Sequence, residues 1–142
     1  MPYQEDKAYV LELNGKDLLF MTSIELVTFA ARILDSKKAQ EITAIKVRDL
    51  TIITDYFLIA GGTSTTQVKA LADEIEVKLS EKGIEPLRTE GRNGAEWIVL
   101  DYNEVIIHIF YTETREVYKL ERLWNDGVQV DLSEILKGGD NG

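Results

Sequence analysis

The chain has 142 residues, 44% hydrophobic and 29% charged, with no cysteine and a formal net charge of −9. That length holds one compact domain with a real core. Missing cysteines exclude disulfides and thiolate metal sites, and no apolar run approaches the roughly 18 residues of a bilayer span. The longest basic cluster, Lys37–Lys38, is too small to neutralise a phosphate backbone, so strong direct nucleic-acid binding is disfavoured. A basic protein is the better electrostatic partner. The opening "MPYQEDKAYV" carries no apolar core segment, so it is not expected to act as a secretory signal.

In chain order, "YVLEL" reads as a short strand, and "NGKDLLF" opens on the Asn14-Gly15 turn pair. Met21 directly precedes a helix cap and makes a natural start site, which leaves residues 1–20 as an N-terminal extension. Thr22 with Glu25 fits a capping box, and Ile24, Val27, Ala31 and Leu34 recur at helical spacing, predicting a helix over about 23–38. "EITAIKVRDL" alternates like a strand, and "YFLIA" reads as a strand covered on both faces.

The stretch "GGTSTTQ" leads into a second helix, with Val68, Leu71, Ala72, Ile75 and Leu79 on one stripe and Gly83 as its stop. Ser64 with Gln67 fits another capping box. "IEPLRTE" is extended and "GRNGA" is a loop. "EWIVLDY" and "VIIHIF" flank Asn103-Glu104 as a tight antiparallel hairpin. "TETREVYKLERLW" places Val117, Leu120 and Trp124 along a helical seam with Tyr118 beside it. "VQVDLSEIL" reads as a short extended or helical piece, and residues 133–142 as a flexible C-terminal tail. The pattern predicts an α/β (α+β) fold, a mixed β-sheet with helical cover.

Gly61, Gly62 and Ser64 sit at a strand–turn–helix junction, where backbone amides can hold a phosphate. The stretch lacks the span and Lys of a Walker loop and is not G-x-G-x-x-G. A nucleotidyltransferase would need paired acids just downstream to hold two metal ions. The next acids, Asp73 and Glu74, are adjacent on a helix and splay apart. A nucleotide-binding or nucleotidyl-transferring enzyme therefore stands as the alternative reading, and no cofactor or metal is expected.

His108, the single histidine, shares a sheet face with Ile106 and Phe110, without a local nucleophile or orienting acid. Pleat alternation puts Trp97, Val99 and Asp101 on one hairpin face, with Ile98, Leu100 and Tyr102 on the other. Trp97 fits a core filler or an interface anchor equally well.

Taken together, "DLTIITDYFLIAGGTSTTQVKALADEI", "EGRNGAEWIVLDYNEVIIHIF" and "REVYKLERLW" resemble the ribosomal silencing factor family RsfS, also called Iojap, over about residues 21–132. The resemblance implies a nucleotidyltransferase-like domain without catalytic acids. It also implies binding to the large ribosomal subunit through its L-fourteen-type protein, where occupancy blocks joining of the small subunit and represses translation. The implied contact surface is an exposed sheet centred on Trp97, extended here to Val99, Asp101, Tyr102 and His108, with Asp55 and Tyr56. A homodimer pairing through the same face is a further expectation. No acid-poor presequence is visible, so a bacterial cytoplasm is expected.

Overall fold

The computed structural model describes residues 8–13 and 16–139. Two strands, β1 (Ala8–Leu13) and β2 (Lys16–Thr22), pair antiparallel as a separate ribbon. The "YVLEL" strand is therefore present, while the Asn14-Gly15 turn lies outside the described residues. β2 runs through Met21 into the cap of α1 (Ser23–Ser36). The capping box is complete. Thr22 N–H donates to Glu25 Oε1 at 2.8 Å, and Glu25 N–H donates to Thr22 Oγ1 at 3.2 Å.

The remaining elements are β3 (Gln40–Lys46), β4 (Tyr56–Gly62), α2 (Thr65–Ser80), β5 (Arg88–Glu90), β6 (Trp97–Asp101), β7 (Val105–Tyr111), α3 (Thr112–Tyr118), α4 (Leu120–Leu123), β8 (Val128–Gln129) and α5 (Ser133–Gly139). A six-stranded mixed sheet has the order β5-β6-β7-β4-β3-β8, with β4 and β7 parallel and the other pairs antiparallel. The predicted mixed sheet with helical cover is present.

Each sheet face has its own core. On one, α1 contributes Leu26, Val27, Ala30 and Leu34, and α2 contributes the predicted stripe Val68, Leu71, Ala72, Ile75 and Leu79. They meet Leu58, Ile98, Leu100, Ile107 and Ile109 from the strands. Burying a side chain of this size contributes about 1.5–3 kcal/mol before entropy is charged against it, so this layer dominates stability. The opposite face packs Ile45, Phe57, Ile59, Ile106 and Phe110 under Leu120, with Trp97, Val99 and Trp124 half-buried at the margin. Both faces of β4 are thus covered, as its unbroken apolar run predicts.

Three expectations are corrected. The helix predicted across 112–124 breaks at Lys119, which takes a left-handed conformation (φ 50, ψ 50). Val117, before the break, lies out in solvent at 77% exposure, while Leu120, after it, is buried. Residues 133–139 are not a loose tail but form α5, whose Ile135 and Leu136 pack on the helix-side core and whose Ile135 carbonyl accepts from Arg32. Its start is held by Asp131, which accepts from the Ser133 N–H at 3.0 Å. At the second helix only half of the capping box forms. Ser64 Oγ accepts from Gln67 N–H, but the Gln67 side chain accepts from Thr63 N–H at 2.7 Å.

Candidate functional site

The Gly61–Ser64 turn is built by packing rather than by a left-handed backbone, because neither glycine has a positive φ. A Cβ on Gly62 would lie 2.9 Å from Val68 Cγ2, and one on Gly61 would lie 3.1 Å from Thr112 Cγ2. These glycines let β4 run directly under the start of α2. Two amides of the turn, Thr63 N–H and Gln67 N–H, already have side-chain acceptors. The acids downstream serve the fold, since Asp73 and Glu76 together hold Arg92, the latter at 2.6 Å. Among the described residues no cluster of three His, Asp or Glu side chains is placed to hold a metal ion.

That Arg92 clamp fixes the loop leading into β6. In the same loop Gly91 takes φ 90, and a Cβ there would overlap the Trp97 carbonyl, so only glycine fits. Trp97 is thereby placed at the rim of the outer sheet face. Its ring stacks on Phe110 (4.7 Å between centroids, 26° between planes) and lies 4.9 Å from the ring of Tyr118. Its indole N–H donates to His108 Nδ1 at 3.1 Å. Phe57 meets His108 edge-on at 5.1 Å, and Trp124 lies a further 5.1 Å beyond Phe57. Tyr118, Trp97, His108, Phe57 and Trp124 thus form an aromatic ridge crossing β6, β7 and β4.

His108 is the ridge's polar member. Because Nδ1 accepts from Trp97, the neutral ring carries its proton on Nε2, and that buried atom has no hydrogen-bond partner among the described residues. Burial pushes its pKa down to about 4, so His108 is uncharged at neutral pH. It acts as a fixed acceptor that orients Trp97, and no acid or nucleophile bonds to it among the described residues.

Four of the seven residues singled out from the sequence share this face: Trp97, Val99, Asp101 and His108. Val99 is directly opposite His108 in the ladder. Asp101 accepts from Arg88 Nε at 3.3 Å and from Asn103 N–H at 2.8 Å, which ties down the hairpin turn. Asp55 sits at the foot of β4, paired with Arg48 at 3.2 Å. Tyr56 and Tyr102 are placed elsewhere. They are 4% and 2% exposed and belong to the helix-side core, because pleat alternation sends them to the opposite face from Phe57 and Asp101. Burial raises the Tyr102 hydroxyl pKa. Neither ring is available to a partner on the outer face.

Phe57, Phe110, Tyr118 and Trp124 are not among the contact residues expected from the sequence, although Phe57, Tyr118 and Trp124 belong to the ridge and Phe110 stacks on Trp97. The signal for Phe57 and Phe110 is the alternation that places His108, continued onto the neighbouring strand. Nothing local marks Trp124, whose position depends on the break at Lys119. The outer face is also less bare than an exposed sheet, since the α3–α4 segment crosses it. Arg115 anchors that segment, donating to Glu121 at 3.2 Å and to the Gln40 carbonyl at 3.4 Å.

A family model described as "Ribosomal silencing factor during starvation" matches residues 21–141. A ribosomal silencing factor RsfS from Halalkalibacterium halodurans is 37% identical over 116 residues, which cover 82% of this chain and 99% of that protein. A mouse protein named for mitochondrial assembly of the ribosomal large subunit is 33% identical over 96 residues, covering 65% of this chain and 42% of its own length. A crystal structure of a Chromobacterium violaceum protein superimposes with a TM-score of 0.72 at 32% identity, covering 74% of this chain and 88% of that one.

Proposed function

Since the chain belongs to the RsfS family of ribosomal silencing factors, we propose that it docks on the large ribosomal subunit through an L-fourteen-type protein and blocks joining of the small subunit by occupancy. The observation that carries this reading is the ridge around Trp97. It is an indole half-buried at the rim of a preorganised aromatic surface, held by one hydrogen bond and three ring contacts. Such an anchor loses little entropy on binding and is the residue type that dominates protein interfaces.

Charge supports the choice of partner. A chain of net charge −9 is drawn to a basic ribosomal protein and repelled by bare RNA, which favours one protein contact over a wide footprint on nucleic acid. Steric exclusion needs a stable complex and no turnover, which agrees with a site that offers contacts rather than a poised acid–base pair. Among the described residues no helix is long and apolar enough to cross a membrane. A bacterial cytoplasm, where ribosomes assemble, is the location that follows from this reading.

The test is co-sedimentation with purified large subunits, with and without Trp97→Ala. The wild type should pellet with the subunit and slow its association with small subunits. The variant should stay in the supernatant while keeping its circular dichroism spectrum. Retained binding by a folded Trp97→Ala protein would overturn the site. A concentration-dependent mass lost in the same variant would instead indicate self-pairing through this face.

A further inference from the structure

Beside the ridge, where α3 leaves β7, lies a cleft of about 400 Å³. Tyr118 is shared between the two: one of the cleft's walls, it also touches Trp97. The other walls include Glu96, Tyr111, Glu113, Thr114 and Val117, so the lining brings two carboxylates and no cationic side chain. Tyr111 O–H donates to Glu113 Oε2 at 3.0 Å, and Thr114 O–H donates to Glu96 Oε1 at 3.3 Å. Each carboxylate keeps lone pairs after these bonds. Next to them, Val117 and Tyr118 are 77% and 56% exposed. They form an apolar surface at the end of α3, just before the left-handed turn at Lys119.

A cleft lined by apolar surface together with two carboxylates matches a long cationic side chain, whose stem is hydrocarbon and whose head is charged. We propose that this cleft is the socket for an arginine side chain of the basic protein partner, its stem lying on Val117 and Tyr118 and its guanidinium between Glu96 and Glu113. Arginine fits better than lysine because a planar fork can meet two carboxylates while its face stacks on a tyrosine ring. The socket adjoins Trp97, so one partner can fill both. Trp97 supplies the desolvated anchor, and the socket supplies a charged contact at the rim that sets encounter rate and register. The inference rests on the partner class proposed above.

The experiment measures equilibrium binding of the full chain to purified large ribosomal subunits at low and moderate salt. Glu96→Gln/Glu113→Gln keeps shape and removes both charges. It should weaken binding about tenfold near 50 mM salt, and the gap should narrow to about threefold near 200 mM as screening takes over. Tyr118→Leu keeps the apolar wall without the ring and should cost about threefold. A control pair, Glu81→Gln/Glu134→Gln, removes the same charge from exposed positions at the C-cap of α2 and on α5; it should change affinity less than twofold. Both socket glutamates are exposed, so folding should survive, and matching thermal midpoints would verify it. Equal losses in socket and control variants would reduce the effect to net charge and overturn the socket. Wild-type affinity in the socket variant would do the same while leaving the Trp97 reading intact. If the wild type itself fails to bind large subunits, both readings fall together.

Discussion

Acid should unfold this protein partly through one residue. The His108 ring is buried against Trp97, Phe57 and Phe110, and burial lowers its pKa from 6.5 to about 4. The unfolded chain therefore takes up a proton near pH 6.5 that the folded protein refuses until about pH 4. In that window the unfolded state binds more protons, so stability is fully present above about pH 6.5 and declines as pH falls toward 4. At about 1.36 kcal/mol per pH unit, the whole window corresponds to ~3 kcal/mol, and the part between pH 7.5 and 5.5 to ~1.3 kcal/mol. Carboxylates titrate mostly lower, so this upper part isolates the histidine. Urea unfolding at pH 7.5, 6.5 and 5.5 would be compared between wild type and His108→Phe, which keeps an aromatic ring in the ridge. The wild type should lose about 1.3 kcal/mol more than the variant across that range. Parallel stability curves, or a His108 ring resonance titrating in the native protein near pH 6.5, would refute the reasoning.

Other outcomes follow from the same contacts. Gly62→Ala should destabilise by about 1–3 kcal/mol in thermal or urea unfolding, because its Cβ meets Val68 Cγ2 at 2.9 Å in a packed turn. Arg115→Met should cost about 2 kcal/mol and loosen α4, read as faster amide exchange at residues 120–124, because Glu121 and the Gln40 carbonyl lose their donor. Deleting residues 133–142 should lower the thermal midpoint by several degrees, since it strips Ile135 and Leu136 from the α1 side of the core. A chain that melts unchanged without α5 would return that segment to the status of a tail.

Local signals carried most of the architecture. The Thr22–Glu25 box, the α2 stripe, the Gly83 stop (φ 81) and the Asn103-Glu104 turn are short-range patterns whose physics is complete within a few residues, and each is found where expected. The half-formed box at Ser64 shows the limit of such patterns. Gln67 had a local partner available, yet its oxygen took the Thr63 amide and its nitrogen reached the Lys37 and Lys38 carbonyls, 30 and 29 residues away. Likewise the seam through Val117 and Trp124 has helical spacing, but Arg115 finds its partners on β3 and on Glu121, and the chain turns left-handed at Lys119 instead of continuing.

The candidate site divides along the same line. By itself the sequence determined that Trp97, Val99 and Asp101 share one face and that His108 shares one with Ile106 and Phe110, because strand alternation is an intrinsic property of the backbone; the β6–β7 register makes the two faces one. The same rule placed Tyr102 on the other side, and the structure shows that side buried. Family membership was also legible in the spacing of several motifs, which no single motif could have carried. Only the tertiary structure decided which face stays open. That depended on α1, α2 and α5 covering one side while a broken helix pinned by Arg115 covers part of the other. Ring contacts across three strands, the unpartnered His108 nitrogen and the acidic cleft beside Tyr118 come from residues far apart in the chain. Their meeting is set by the order β6-β7-β4 and the turn at Lys119, which no local pattern encodes.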